Sequence, residues 1–288
     1  MIELKSYLLK RCSPKTTKAY LRDINIFLSY LPEQSARKAT YKNILEYVEY
    51  LRRKHTNPRT INRMLYGVKA WYHWLVESGE RKDHPCCFLT LKDAKSLEVQ
   101  LQDLFSKQEL ELLMDRKERY ESVRIRNQLI ISLLIYQALR LKEITGLMIT
   151  DINLEEGTVY IRETPKTPGR GVKLKPKQIM LLYKYINEIR PRLIHYPSDQ
   201  LLLNIRGIPA SGEDINYLIE TLKPLFKDRN LNATSIRQSV ITNMLKEGKD
   251  LRVVQVFAGH KKISSTEKYK QTAIDELKSA INKYHPLG

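Results

Sequence analysis

The chain has 288 residues, 42% of them hydrophobic, which suits two globular domains and excludes wholesale disorder. Its 50 Lys and Arg against 32 Asp and Glu leave a net charge of +18. The positive charge is spread over the chain: residues 1–97 carry 19 basic and 9 acidic side chains, and residues 98–288 carry 31 basic and 23 acidic ones. This basic excess predicts a polyanionic partner. No apolar run reaches the roughly 20 residues of a membrane span. Charge alone does not distinguish DNA, RNA and an anionic membrane surface, but no basic amphipathic helix with a wide apolar face stands out, so we expect nucleic acid and no membrane. Cys12, Cys86 and Cys87 lack metal-ligand spacing, which predicts a reducing cytoplasm and no structural metal.

Residues 1–97 predict a small helical domain. Apolar positions recur with helical spacing in three segments, 14–31, 41–54 and 57–78. The stripe on the third segment consists of Ile61, Leu65, Val68, Tyr72 and Leu75. The opposite face combines cations, an amide and an aromatic ring, a mixture that suits phosphates and groove edges. It is therefore predicted to contact DNA through Arg59, Asn62, Arg63, Tyr66 and Lys69. An ordinary solvated helix face is the alternative.

A second domain is predicted from Ser106, which forms a capping box with Glu109 ahead of an apolar run. Residues 123–139 are strongly apolar and predict a buried core helix. That helix runs into Arg140, and Glu143 follows three residues later. A guanidinium at the end of so apolar a helix is costly to bury unless it is paired, which makes Arg140 a candidate functional residue. The alternative is an ordinary Arg140–Glu143 pair at i, i+3.

A β-hairpin is predicted next. Residues 158–162 and 171–175 alternate with a period of two, and a Pro-Gly turn signal lies between them. Lys166 is in the loop, while Arg170 and Lys173 are predicted either to contact phosphate or to serve as solubility charges. Helices are then predicted over about 176–189, with a stop at Pro191, and over 212–226.

Residues 232–270 are the most informative stretch. Arg237 lies in the first turns of a helix whose apolar positions recur every four residues, and Asp250 is placed to cap a second helix. Gly259 stands where that helix would end, because glycine adopts the left-handed conformation at little cost. His260 follows at once, and Tyr269 comes nine residues later.

The segment Ala138–Leu147 resembles the first sequence box of the tyrosine recombinase (phage integrase, Xer-type) family. Arg237, Gly259-His260 and Tyr269 resemble its second box. Lys166 is the best candidate for the lysine that this family carries on a β-hairpin between the two boxes.

The resemblance implies a mainly α protein with a small β-hairpin, arranged as a two-domain clamp around DNA. Residues 1–97 would form the helical, SAM-like core-binding domain. Residues 98–288 would form the α+β catalytic domain, with a C-terminal helix that docks on a neighbouring protomer.

The resemblance also implies site-specific DNA recombination through a transient 3′-phosphotyrosine intermediate, with strand exchange via a Holliday junction. The catalytic residues would be Arg140, Lys166, Arg237, His260 and Tyr269. In this scheme Tyr269 is the nucleophile, the arginines and His260 hold the phosphate, and Lys166 protonates the leaving oxygen. The auxiliary residues would be Glu143, Thr234 and Gln238. The family usually has histidine at the last two of these positions.

Double-stranded DNA is the implied partner, bound by one dimer per site and a tetramer in the synapse. The resemblance implies no cofactor and no metal, and a cytoplasmic, nucleoid-associated location. Two alternatives stay open: a type IB topoisomerase-like nicking-closing enzyme, and a DNA-binding regulator that has lost catalysis. A metal-dependent transposase is a less favoured third.

Overall fold

The N-terminal unit of the chain is helical. The computed structural model describes residues 3–91, 104–165 and 167–269, and the chain divides into two compact units, Met1–Leu97 and Glu98–Gly288. The helices described in the first unit are α1 (Leu4–Arg11), α2 (Pro14–Tyr30), α3 (Glu33–Arg37), α4 (Tyr41–Lys54) and α5 (Pro58–Glu77). Ser13 and Asn57 cap α2 and α5 with their side chains, and a proline follows each cap at the start of the helix.

Helix α5 turns its apolar stripe into the core of this unit. The buried members are those that the helical spacing predicts, namely Ile61, Leu65, Val68, Tyr72 and Leu75. The Phe27 ring lies at the centre of the core and meets the rings of Tyr47 and Trp71 edge to face. Because the stripe faces inward, the side of α5 that carries Arg59 and Tyr66 is exposed.

The second unit is built around α7 (Glu121–Gln137), which is buried along most of its length. The other helices described here are α6 (Lys107–Leu112), α8 (Leu141–Thr145), α9 (Pro176–Lys184), α10 (Arg190–Leu193), α11 (Gly212–Glu220), α12 (Ala233–Lys246) and α13 (Leu251–Ala258). Residues 264–269 are also helical. Helices α9 and α12 both pack on α7, which explains why α7 is apolar on several faces.

A three-stranded antiparallel sheet follows α8 in the chain. Its strands β1 (Ile152–Asn153), β2 (Thr158–Ile161) and β3 (Arg170–Lys173) pair in that order, and Val159 lies opposite Val172. The predicted hairpin, and the mainly helical fold with a small sheet, are therefore confirmed. Along β3, buried and exposed residues alternate, so Arg170 and Val172 share the inner face.

The prediction that a helix ends at Pro191 is wrong. A π-helical turn at Tyr185–Ile189 carries α9 into α10, so Pro191 lies inside a continuous helix. Its ring removes one backbone donor, and the wider π-helical turn directly precedes it.

Two predicted features lie outside the described residues: Lys166 and the C-terminal helix beyond Tyr269. In the part of the chain that the structure describes, no helix is long and apolar enough to cross a membrane.

Candidate active site

Arg237 joins the C-terminal ends of two helices. Helix α12 begins at the Asn232 cap, whose side chain accepts from two backbone N–H groups, and the next turn carries Arg237 into the interior. Arg237 is 7% exposed, and its guanidinium donates to the carbonyls of Ala138 and Ala258. These carbonyls lie at the ends of α7 and α13, where helical partners run out and the dipole favours a cation. Burial, reinforced by the charge of Arg140, lowers the pKa of Arg237 to about 10.

Glu143 forms ion pairs with two arginines. Arg170 donates to both carboxylate oxygens at 3.0 Å, and the Arg140 guanidinium donates to Oε1 at 3.0 Å. The backbone N–H of Arg140 also donates to Oε2, at 2.9 Å. Burial raises the pKa of Glu143, but these hydrogen bonds outweigh it and the net pKa is lowered, so the carboxylate stays charged. The side chain of Arg140 remains 36% exposed and can reach a ligand.

The local backbone explains the position of Arg140. Ala138 ends α7 in the left-handed conformation (φ 51°), and Arg140 then becomes the first residue before α8. The chain thus turns sharply between the two helices, and the carbonyl of Ala138 faces Arg237. The i, i+3 pair weighed as an alternative does exist, but it belongs to an Arg140–Glu143–Arg170 triad rather than to a solvated helix face.

His260 is held at both ring nitrogens. Gly259 ends α13 with φ 61°, as predicted, and the imidazole that follows meets the Thr266 hydroxyl through Nδ1 at 2.8 Å. Its Nε2 lies 3.2 Å from Nη2 of Arg237. Burial, and then the charge of Arg237, lowers the pKa of His260 to about 4, so the ring is neutral at neutral pH. No local sequence pattern predicts this contact, because it joins Thr266 to the end of the preceding helix.

Tyr269 stacks on His260. The two ring centroids are 6.1 Å apart and the planes differ by 10°. The tyrosine also packs against a small apolar cluster made by Ile241, Val254 and Ala258. Burial raises the pKa of Tyr269, although Arg237 and Arg140 act in the opposite direction. The phenol is therefore protonated at neutral pH.

The hairpin loop is attached beside His260. Lys166 lies outside the described residues, but its neighbours do not: Thr164 and Thr167 bridge to each other through their backbones at 2.8 and 3.2 Å. Lys261, which follows His260, donates to the carbonyl of Pro165 at 2.8 Å. The loop that carries Lys166 is thus tied to the chain segment that carries His260.

The prediction that Arg170 contacts DNA is wrong. Its side chain is 3% exposed, and besides Glu143 it donates to the carbonyl of Phe257 at 2.8 Å. A buried guanidinium with these partners cannot leave to meet a phosphate without stranding the Glu143 carboxylate. The sequence contained a signal for this placement, since Arg170 has the same strand parity as the inward Val172.

The other predicted site residues take several positions. Thr234 is exposed and Gln238 is half buried, and within the described ranges no hydrogen bond joins either side chain to Arg237 or His260.

On α5, Arg63 pairs with the buried Asp23, and Lys69 donates to the carbonyl of Cys87 at 2.9 Å. The face also includes Arg59, Asn62 and Tyr66, and on the hairpin Lys173 is exposed. Among the described residues, no three His, Cys, Asp or Glu side chains are arranged to hold a metal ion.

Gly259→Ala is expected to destabilise the second unit more than Gly248→Ala. Both glycines have positive φ, 61° and 76°, so each alanine incurs a backbone cost of about 1–2 kcal/mol. A Cβ at Gly259 would also collide with the Arg170 guanidinium, whereas a Cβ at Gly248 meets open space. Calorimetric unfolding of the two variants measures the difference. Equal losses would show that the Gly259–Arg170 contact adds nothing.

Comparison with known proteins agrees with this geometry. Residues 2–79 match the N-terminal SAM-like domain of phage integrases. Among curated relatives, the tyrosine recombinase XerD of Listeria innocua is 27% identical over 96% of this chain and 94% of its own length. The tyrosine recombinase XerC of Halalkalibacterium halodurans is 26% identical over 96% and 93%.

Solved structures share the fold. The XerH recombinase bound to a palindromic difH substrate, in a post-cleavage complex, superposes with a TM-score of 0.73 at 21% identity, covering 92% of this chain and 78% of that one. A lambda integrase dimer bound to a COC′ core site gives 0.72 at 14% identity, covering 92% of each chain. Residues 103–276, more than half of the sequence, match the phage integrase family itself. The chain therefore belongs to the phage integrase family, the tyrosine recombinases that its sequence boxes predicted.

Proposed function

We propose that this protein is a site-specific recombinase that cuts and rejoins duplex DNA through a transient 3′-phosphotyrosine bond. One observation carries the proposal: Arg237 contacts His260, on which Tyr269 stacks, and it also binds the carbonyl of Ala138, two residues before Arg140. The family membership of the chain supports the same reaction class.

The charges of the cluster suit a phosphodiester. Arg140 and Arg237 are cations whose planar forks can each donate two hydrogen bonds to non-bridging phosphate oxygens. Glu143 is already paired with Arg170, so the arginine charge that remains at the exposed side of the cluster is available to an anion. Fixed cations around a transferring phosphoryl group lower the barrier because they need no rearrangement during the reaction.

The reaction balances without an external energy source. The Tyr269 oxygen releases its proton to solvent and forms a bond to phosphorus while the bond from phosphorus to the 5′ oxygen breaks. Lys166 gives a proton to that departing oxygen, as the resemblance implies. A 5′ hydroxyl from a second strand then attacks the phosphotyrosine and reverses the step. The phosphoester energy is retained in the covalent intermediate.

We also propose the DNA contacts and the assembly. The exposed face of α5 and Lys173 of the hairpin supply cations and polar groups for backbone contact, at Arg59, Asn62, Arg63, Tyr66 and Lys69. Relatives of this fold have been solved on DNA, one of them as a dimer on a core site, which supports one dimer per site here. The tetrameric synapse, the role of the C-terminal helix and the cytoplasmic location stay predictions.

Trapping the covalent intermediate tests the function. The site is first selected from a pool of random duplexes by the purified protein. A nick is then placed beside the cleavage position. After cleavage, the short fragment that carries the free 5′ hydroxyl diffuses away, so the strand cannot be rejoined. We expect a protein–DNA adduct that survives denaturation and disappears on protease treatment. Without any adduct on the selected site, a DNA-binding regulator would be the better description.

Strand exchange separates recombination from nicking and closing. Two duplexes of different length, each with the selected site and one labelled, are incubated with the protein. Recombination gives labelled products of new lengths, because ends are exchanged between sites. A nicking-closing enzyme would relax a supercoiled plasmid and leave the two linear duplexes unchanged.

A further inference from the structure

We propose that Thr266 is a positioning residue for the reaction, whose hydroxyl holds the His260 ring and lets its proton sit on either nitrogen. The inference rests on the proposed function and deepens it, because it concerns how His260 becomes a hydrogen-bond donor to the phosphate. Thr266 is fully buried, and its hydroxyl lies 2.8 Å from Nδ1 of His260.

The contacts of His260 define its tautomer in this structure. A guanidinium can only donate, so Nη2 of Arg237, 3.2 Å away, requires a lone pair on Nε2. The single proton of the neutral ring is then on Nδ1 and is donated to the Thr266 oxygen. In this state Nε2 cannot donate to a phosphate.

A phosphate bound between Arg237 and His260 requires the other tautomer of the ring. The phosphate oxygen accepts from the guanidinium, and Nε2 of His260 must carry a proton in order to donate to it as well. One proton then leaves Nδ1 for solvent and another is taken up at Nε2, and the ring remains neutral. Nδ1 becomes an acceptor, and the Thr266 hydroxyl can rotate to donate to it. A backbone carbonyl at the same place could only accept, and it would fix the first tautomer.

The location of Thr266 also links His260 to the proposed nucleophile. Thr266 precedes Tyr269 by three residues in the helical segment 264–269, so the two share one face of it. The bond between Thr266 and Nδ1 therefore fixes this segment to the ring on which Tyr269 stacks.

Three variants test the role on the nicked substrate. Thr266→Val keeps the shape but removes the hydroxyl, and we expect its cleavage rate to fall about 10- to 100-fold, by analogy with the loss of the partner behind a metal-ligating histidine. Thr266→Ser keeps the hydroxyl and is expected to cleave close to the wild-type rate. Thr242→Val is the matched control, because the Thr242 hydroxyl is buried without a hydrogen-bond partner. It should leave the rate unchanged.

A spectroscopic measurement reads the tautomer directly. In wild-type protein labelled with ¹⁵N-histidine, the His260 signals, assigned with His260→Gln, should report a protonated Nδ1 without DNA. In Thr266→Val they should report a mixture. Should the valine variant not fold, Thr266→Cys replaces it, since a thiol is a weak partner.

Two kinetic outcomes overturn the proposal: full-rate cleavage by the valine or cysteine variant, or a serine variant as slow as valine. Both rates are compared with that of wild-type protein, which must form the adduct. If the wild-type protein forms no adduct, the proposed function is overturned instead. An unchanged ¹⁵N pattern in the valine variant would also count against the role of Thr266.

Discussion

Tyr269→Phe is expected to abolish the covalent adduct on the nicked substrate while DNA affinity stays unchanged. Only the phenolic oxygen is removed, and with it the atom proposed to bond to phosphorus. Loss of a nucleophile that acts as part of a set typically lowers the rate by about 10⁴-fold or more. The Phe ring keeps the stacking on His260 and the packing on Ile241 and Val254. The fold should therefore be retained.

The matched control is Tyr217→Phe. Tyr217 lies on α11 and is 73% exposed. Its variant also loses a phenolic hydroxyl, but we expect no effect on adduct formation. Both variants are compared with wild type by adduct yield, by binding to the unnicked site and by thermal unfolding. A protease-sensitive adduct formed by Tyr269→Phe would mean that another side chain attacks the phosphate, and the assignment of Tyr269 would be wrong.

Local rules were enough to predict the elements that hold the cluster. Gly259 adopts the left-handed conformation required at a helix end, and Asp250 caps α13 by accepting from the N–H of Arg252 at 2.8 Å. Ser106 and Glu109 form the predicted capping box. These features depend on neighbours within a few residues, which a sequence displays directly.

The sequence did not reveal which partners the charged residues take. Ala138 ends α7 in the left-handed conformation although it is not glycine, and its carbonyl is thereby directed at Arg237, 99 residues later in the chain. Likewise, Arg170 was read as a surface cation because the carboxylate that pairs with it is 27 residues away. Strand parity predicts that Arg170 faces inward, but the partner that a buried charge takes is decided by tertiary contacts, which no local pattern encodes.

Arg170 should accordingly behave as a structural and positioning residue, and Lys173 as a DNA contact. Lys173→Met should weaken DNA binding, with little change in stability. The slope of log K against log salt concentration should become shallower by about the amount that one phosphate contact contributes. Arg170→Met should leave that salt dependence unchanged, because its side chain does not reach solvent. Two basic residues three positions apart are thus expected to give opposite results. A loss of salt dependence in Arg170→Met would restore the sequence-based prediction that it contacts DNA.

The stability change should be large for Arg170→Met. It leaves Glu143 buried with only Arg140 as a charged partner, and breaking a buried pair typically costs about 3–5 kcal/mol. The pKa of Glu143 is lowered in the folded state, so this stabilisation is present above the ordinary carboxyl value of 4.5 and is lost as the pH falls below it. Stability curves of wild type and variant should therefore converge in acid.

A double-mutant cycle isolates the pair. Glu143→Met also leaves a buried charge unpaired, but Arg170→Met with Glu143→Met removes both charges, so the double variant should be more stable than the sum of the single losses predicts. Cleavage should not recover with stability. Without Glu143, the Arg140 guanidinium loses the carboxylate to which it donates at 3.0 Å, and a less restrained phosphate clamp stabilises the transition state less. Recovery of both stability and cleavage in the double variant would show that the triad holds the fold and not the position of Arg140.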